Sequence, residues 1–325
     1  MNNLADIALA IDHADNVLIC GHVMPDGDSL GSMLALGLVL EKRGKKVTMG
    51  GADRAPAIYG FLPGVNRYVA GGPPAGEYDT FIVLDCSVPE RLGSGYQELL
   101  SSGMVVINLD HHAGSKSFGT YRYIDPEAAA VGEIVFDLFN IMKVDISIEA
   151  AICLYTAIVT DTGSFQYENM RPNTHRRVAI LLEIGVPAAQ INQELYEEKP
   201  RAVLDLLGLA LSTLSLSPCG KVCWMTVTRK LLSSAGAEDE HTEGMVNYAR
   251  SIRGVQVGIL FRETEDGDFK ISFRSKGIVD ANRLAATFDG GGHQRAAGCV
   301  MRGNLAEIQG KVVNAAVLAA GGINL

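Results

Sequence analysis

At 325 residues, 47% of them hydrophobic and only 6% aromatic, the chain has the make-up of an ordinary α/β protein and not of a disordered, collagenous or all-β one. Its 28 basic and 37 acidic residues, a net charge of -9, argue against an unbroken basic surface that coats long duplex DNA, and leave room for a short nucleic acid in a local basic pocket. Six scattered cysteines (Cys20, Cys86, Cys153, Cys219, Cys223 and Cys299) without CxxC pairs read as reduced thiols of a cytoplasmic protein, and no apolar run approaches the roughly 20 residues of a membrane span.

The first half alternates short β-type runs with helical patterns. NVLICGH (16–22), KVTMGGA (46–52), TFIVLDCS (80–87) and MVVINLDHH (104–112) are rich in Val, Ile and Leu, as expected of strands buried on both faces. Between the first two, SLGSMLALGLVLEKRG suits a helix closed by Gly44. This β-α-β order predicts a mostly parallel sheet with helices on both sides. From about 126 to 185 the pattern turns helical, and a further helical stretch, 188–215, broken by EEKPR, reads as a linker. Beyond it KVCWMTVT, VQVGILFRE and DFKISFRS read as strands, and ANRLAATF and AEIQGKVVNAAVLAA as helices. The expected organisation is a metal-binding catalytic domain at 1–187, the linker at 188–215 and a smaller α/β domain at 216–325.

Four acidic or histidine clusters fall where these elements end or begin. They are His22, Asp26 and Asp28; Asp85; Asp110, His111 and His112; and Asp161. Ligands of open parallel sheets gather outside the carboxyl ends of the strands, so folding is expected to bring at least three of the clusters to one edge. Two unit charges about 4 Å apart repel by roughly 4 kcal/mol at an effective dielectric of 20, so these carboxylates need protons or cations among them. Oxygen donors with a few imidazoles and no thiolates suit Mn²⁺ or Mg²⁺ better than structural zinc, with Zn²⁺ and Co²⁺ still open. The donors suffice for two divalent ions sharing one carboxylate, an arrangement that clamps a phosphate and activates a hydroxide. Each cluster alone has an ordinary structural explanation: a turn and N-cap at 26–29, a solvated strand end at Asp85, a helix C-terminal turn after Asp161. Gly51, Ala52 and Asp53 resemble a fragment of a dinucleotide fingerprint, but GxGxxG is absent.

HVMPDGDS, FIVLDCS, LDHH and VTDTGSF, in this order, resemble the four motifs of the DHH phosphoesterase superfamily, and FRSKGIVDANRLAATFDGGGHQRAAGC resembles its DHH-associated nucleic-acid-binding domain. The resemblance implies that His22 and Asp26 ligate one ion, Asp28, His111 and Asp161 the other, and that Asp85 bridges them. It also implies that His112 faces the scissile phosphate and that Asp110 orients a ligand histidine. In the second domain Arg274, Ser275 and Lys276 supply a fork donor, a hydroxyl and a point charge for phosphate, while Gly290, Gly291, Gly292 and His293 supply backbone amides and a ring for a base. Asp289 stands where many members of the superfamily carry another glycine.

The length resembles that of stand-alone members, the oligoribonuclease (nanoRNase) type, which degrade very short RNAs and remove the 3′-phosphate of 3′-phosphoadenosine 5′-phosphate. A RecJ-like single-strand exonuclease is expected to carry further nucleic-acid-binding sequence. Cyclic-dinucleotide phosphodiesterases often carry membrane and sensory regions, and a pyrophosphatase has a more basic second domain. A non-catalytic nucleotide-binding module would have lost metal ligands, and none is missing here. The abundant apolar helices are compatible with a homodimer.

Overall fold

The apolar runs of the first half form strands whose side chains alternate between two cores. The structure, a computed structural model, describes residues 2–112, 114–116, 118–292 and 294–321. It divides into two compact units, Met1–Glu198 and Lys199–Leu325. The first unit holds six strands: β1 (Asn16–Cys20), β2 (Lys46–Gly51), β3 (Tyr68–Ala70), β4 (Thr80–Leu84), β5 (Val105–Asp110) and β6 (Tyr121–Ile124). All pair in parallel, in the order β3-β2-β1-β4-β5-β6. Strand order reverses between β1 and β4, which is where a sheet of this kind opens a crevice for ligands.

Val17 and Ile19 of β1 and Ile82 and Leu84 of β4 enter one core, and their neighbours Leu18, Cys20, Phe81 and Val83 enter the other. The first core packs under helices α1 (Leu4–Asp12), α2 (Gly27–Lys42), α3 (Val131–Ile141), α4 (Ile148–Asp161) and α5 (Pro172–Ile184). The second face carries no such layer. Among the described residues Leu92 and Tyr96 cover it from a segment of short 3-10 helices, so the sheet is flanked as expected but by much shorter helices on this side. The connection from β4 to β5, rich in Ser, Gly and Pro, favours turns over a long helix. β3 and β6 are edge strands of three and four residues, too short to leave an alternating pattern.

Helix α2 is buried almost all round, as its near-continuous apolar composition requires. It lies against α4 so closely that a Cβ on Gly31 would sit 2.5 Å from the carbonyl oxygen of Cys153 and 3.1 Å from the Cβ of Ala157. A Cβ on Gly27 would likewise meet the Thr160 side chain at 2.4 Å.

Helices α6 (Ala188–Asn192) and α7 (Arg201–Ser212) lie in the stretch that reads as a linker. Its residues are shared out: Ile191 and Leu195 are buried in the core of the first unit, Leu206 and Ala210 in that of the second. In the second unit β7 (Ser215–Leu216), β8 (Val222–Val227), β9 (Val257–Glu263), β10 (Phe269–Ser275), β11 (Gly291–Gly292) and β12 (Ala296–Met301) form a sheet of order β11-β12-β10-β9-β8-β7. Only β8 and β9 pair in parallel. Phe269, Ile271 and Phe273 face the core shared with the helices 281–286 and 305–319, and Lys270, Ser272 and Arg274 alternate to the opposite face.

The helix contact gives a stability prediction. Gly31→Ala must separate α2 from α4 and should cost about 1–3 kcal/mol in chemical denaturation. Gly310→Ala, with nothing near its added Cβ in the helix Leu305–Ala319, should be neutral or stabilising by up to about 1 kcal/mol.

Candidate metal centre

The site grows from the carboxyl end of β1. Past Gly21 the chain turns so that Asp26 becomes the N-cap of α2, its Oδ1 accepting from the N–H of Asp28 at 3.1 Å and of Ser29 at 3.0 Å. Its Oδ2 faces His22, 3.7 Å from Nε2. The same Nε2 lies 3.3 Å from Oδ2 of Asp85, which follows the adjacent strand β4. His22 and Asp85 therefore meet across the point where strand order reverses.

Asp28 is fully enclosed. Its carboxylate accepts from the N–H of Val131 (2.6 Å), the N–H of Gly132 (2.9 Å) and the hydroxyl of Ser32 (2.9 Å), and so caps α3, whose own N-cap residue Ala130 has no side chain for the task. His111 Nε2 lies 3.8 Å from Asp28 Oδ2, 3.7 Å from Asp85 Oδ1 and 3.6 Å from Asp161 Oδ2 at the end of α4. Three groups of side chains have ligand atoms close enough to share a cation: His22, Asp26 and Asp85; Asp28, His111 and Asp161; and Asp85, His111 and His112. All six residues read from the sequence as ligands thus come together, with Asp85 between the two sides.

Asp85 is buried and its Oδ1 accepts no hydrogen bond. Its backbone takes the left-handed φ of 55°, uncommon for a residue with a side chain. Both candidate ligand histidines are turned for coordination: Nδ1 of His22 lies 2.7 Å from the Val23 carbonyl and Nδ1 of His111 lies 3.1 Å from the Ala128 carbonyl. A carbonyl only accepts, so each Nδ1 carries the proton and each Nε2 is directed at carboxylates, the arrangement a metal-bound imidazole needs. The donor set fits a pair of divalent cations.

The electrostatics agree. Burial opposes charge on His22, but Asp26 and Asp85 outweigh it and raise its pKa to about 10. Burial is likewise outweighed at His111, where Asp161, Asp28 and Asp85 raise the pKa to about 10. Burial, reinforced by neighbouring carboxylates, pushes Asp161 up to about 7 and Asp28 well above the carboxylate range. In the metal-free chain, protons neutralise the cluster.

Asp110 takes hold of the ring of His112 and not that of His111. Its Oδ1 accepts from the N–H of His111 (2.9 Å) and of His112 (3.3 Å), a tight side-chain turn that swings His112 round until its Nδ1 is 2.6 Å away. Burial works against its charge, but the hydrogen bond and charge of His112 hold its pKa below the ordinary value.

Three supporting residues escaped the sequence reading. Asp53, noticed only as part of a failed nucleotide fingerprint, accepts from the N–H of Met24 at 2.7 Å and braces the turn between His22 and Asp26. Arg91 packs beside the ring, its Nη2 3.0 Å from the His22 Nδ1 whose proton is directed at the Val23 carbonyl, and Asn169 donates to the carbonyls of Ala129 and Asp161. Each lies in a loop without periodicity and acts on backbone or ring atoms, so only the folded chain reveals it.

The second unit separates the residues read as phosphate-binding. Ser275 falls on the core face of β10, buried, its hydroxyl donating to the Gln294 carbonyl at 3.2 Å, while Arg274 lies on the opposite face. Lys276, just past the strand, is half-buried. A Cβ on Gly290 would lie 2.3 Å from the Gly298 carbonyl oxygen, and one on Gly292 2.5 Å from that of Ala296. Close packing against β12 therefore demands these two glycines, whereas a Cβ on Gly291 would make an ordinary contact with Asn282 Oδ1 at 3.7 Å. Asp289 has a φ of 57°, the conformation a glycine would take without strain. His293 lies outside the described residues.

Fold and site together define a class: an α/β protein that gathers buried aspartates and histidines for cations at the switch point of a parallel sheet. Residues 16–158 match the N-terminal domain of the DHH family, and residues 221–318 match the DHHA1 domain. The bifunctional oligoribonuclease and PAP phosphatase NrnA of Thermus thermophilus is 34% identical over 306 residues, 93% of this chain and 89% of that protein. Its namesake from Bacillus subtilis is 27% identical over 87% of this chain and 88% of that protein. A crystal structure of an exopolyphosphatase-related protein from Bacteroides fragilis superposes with a TM-score of 0.89 at 28% identity, covering 98% of this chain and 95% of that one. The chain belongs to the DHH family.

The raised pKa values fix a pH dependence. A histidine whose folded pKa is raised from 6.5 to about 10 stabilises the metal-free fold fully below 6.5, and that contribution is lost as pH rises through 10. Asp161, raised from 3.8 to about 7, acts in the same direction at lower pH. The chelated protein should melt at falling temperature from about pH 6.5 to pH 10, and the rise in melting temperature on adding Mn²⁺ should grow over that range. Calorimetric titration of Mn²⁺ at pH 8 in buffers of different ionisation enthalpy should show net release of protons on binding, His22 and His111 among their sources.

Proposed function

We propose that this chain is a metal-dependent phosphoesterase that hydrolyses oligoribonucleotides of a few nucleotides and removes the 3′-phosphate of 3′-phosphoadenosine 5′-phosphate. The observation that carries the proposal is Asp85: a buried carboxylate with an unbonded oxygen, in left-handed backbone, between two groups of imidazole and carboxylate donors. The activities named for the relatives from Thermus thermophilus and Bacillus subtilis, matched along nearly the whole chain, supply the substrate class.

In this reading His22 and Asp26 hold one ion, Asp28, His111 and Asp161 the other, and Asp85 both. Oxygen and imidazole donors without thiolates favour Mn²⁺ over softer-site metals. When bound, such a pair supplies Lewis acidity to the phosphate and lowers the pKa of water. The protein's part is to place charge. Asp110 holds His112 through Nδ1, so that Nε2 would address the scissile phosphate and, carrying a proton of its own, would donate to the equatorial oxygens and stabilise their charge. Asp26 and Asp28, held by helix N-termini, keep their positions as charge moves. Arg274, Lys276, Gly291 and His293 are the candidates for holding the nucleotide, Ser275 being committed to Gln294. Cysteines that are all free, most of them buried, agree with work in the cytoplasm.

The reading is tested by product analysis with Mn²⁺ on a 5′-phosphorylated diribonucleotide, 3′-phosphoadenosine 5′-phosphate, long single-stranded DNA and pyrophosphate. Faster turnover of the first two is expected, and preference for either of the last two would overturn it. Asp85→Asn keeps the shape and tolerates the left-handed backbone, so it should fold normally and lose at least about 100-fold in kcat/KM. Wild-type turnover by the folded variant sinks the role of Asp85.

A further inference from the structure

The loop after Asp161 is built in an unusual way. Gly163, Ser164 and Phe165 take φ values of 56°, 56° and 64° in succession, a left-handed run that a bulky phenylalanine rarely joins. Phe165 is held there by contacts with the rings of Tyr155 and His175, at centroid distances of 6.3 and 5.7 Å, and by a hydrogen bond from its N–H to the Thr162 hydroxyl at 3.2 Å. The run turns the chain back so that Asn169 reaches two backbone carbonyls. Its Nδ2 donates to Asp161 at 3.0 Å and to Ala129 at 2.9 Å. Because carbonyls only accept, the amide can sit in one orientation only.

Ala129 belongs to a short segment that handles two other candidate ligands. The carbonyl of Ala128 takes Nδ1 of His111, and the N–H groups of Val131 and Gly132 take the carboxylate of Asp28. One NH₂ group therefore ties the end of α4, which carries Asp161, to the segment that aims His111 and Asp28. A plain helix cap would satisfy the carbonyl of Asp161 alone. The second bond spans forty residues of sequence, and Asn169 keeps it although its own Oδ1 is buried without a hydrogen bond.

We propose that Asn169 is a positioning residue that sets the spacing of Asp28, His111 and Asp161, and so governs one of the two cation sites without touching the other. The proposal rests on the two-cation reading given above. The two bonds of Asn169 join segments that carry or aim Asp28, His111 and Asp161, whereas His22 and Asp26 have other braces, the Val23 carbonyl, Asp53 and the amides of α2.

The experiment is Mn²⁺ titration of the full chain, followed by calorimetry and electron paramagnetic resonance. The wild type, Asn169→Leu and Asn169→Ser are compared, with Asp161→Asn and Asp26→Asn as references for each site. Wild-type binding of fewer than two ions would overturn the two-cation reading itself. Given two ions, Asn169→Leu should weaken one binding step about 10- to 100-fold and leave the other within about twofold. Its resonance spectrum should lose the coupled-ion signal and match that of Asp161→Asn, and Asn169→Ser, keeping one donor, should lie between Leu and wild type. Equal weakening of both steps along with a lowered metal-free melting temperature would assign Asn169 a merely structural role and overturn the proposal. Unchanged affinities would overturn it as well. If Asn169→Leu does not fold, Asn169→Ser carries the same comparison.

Discussion

Like charges brought together out of water are the constraint that the rest of the first unit obeys. Asp26, Asp28, Asp85, Asp110 and Asp161 converge with His22, His111 and His112 at one sheet edge, and most of them are buried. Oxygens of Asp26 and Asp85, and of Asp28 and Asp161, lie within 4.8 Å of one another, and each such unscreened pair would repel by roughly 3 kcal/mol or more at an effective dielectric of 20. A fold of modest stability cannot hold such a cluster unless cations or protons balance it. The raised pKa values of His22, His111, Asp161 and Asp28 show the proton solution, and the unbonded oxygen of Asp85 shows where it is incomplete.

The ordinary structural explanations for these residues turn out not to compete with the chemical ones. Asp26 gives one oxygen to the N-terminus of α2 and turns the other to His22. Asp28 caps α3, far along the chain from its own helix, and Asp110 builds a turn with the same oxygen that grips His112. Backbone N–H groups at helix ends stabilise carboxylates without adding any competing cation. Using them here fixes each ligand's direction and partly offsets the cost of burial. A cap at the start of a helix and a ligand for a cation are therefore two uses of one side chain.

How much of this was legible in the sequence follows from what each feature leaves there. The runs at β1, β2, β4 and β5 are long, apolar and bounded by acids or histidines, so strands, parallel order and the edge that collects the ligands could be read directly. β3, β6 and β11 are too short to pattern, and β12 was absorbed into the glycine-rich motif. Chemical type singled out the candidate ligands, but partnership did not follow from it: Asp110 holds the ring of His112 and not that of His111, because a two-residue turn decides which ring returns. Reading Arg274, Ser275 and Lys276 as one group overlooks the phase of β10, where odd-numbered residues face the core and Ser275 donates to the Gln294 carbonyl. Asp53, Arg91 and Asn169 act across long separations on backbone or ring atoms, and no local pattern records such contacts.

The glycines at the helix contact finish the argument about charge. Gly27, between Asp26 and Asp28, has no Cβ to strike Thr160, so the start of α2 reaches the end of α4 beside Asp161. The two helix ends are electrostatically unlike. The N-terminus of α2 favours the carboxylates it carries, whereas the C-terminus of α4 adds its own partial negative charge to that of Asp161. A carboxylate at a helix C-terminus is disfavoured unless a cation faces it, and His111 Nε2, 3.6 Å away, can do so when protonated. When that imidazole turns its lone pair inward as a ligand it can no longer neutralise Asp161, and the demand passes to whatever it binds. Once the proton has left, this geometry calls for a cation between the two, which is why the cluster reads as a cation site and not as a buried ion-pair network.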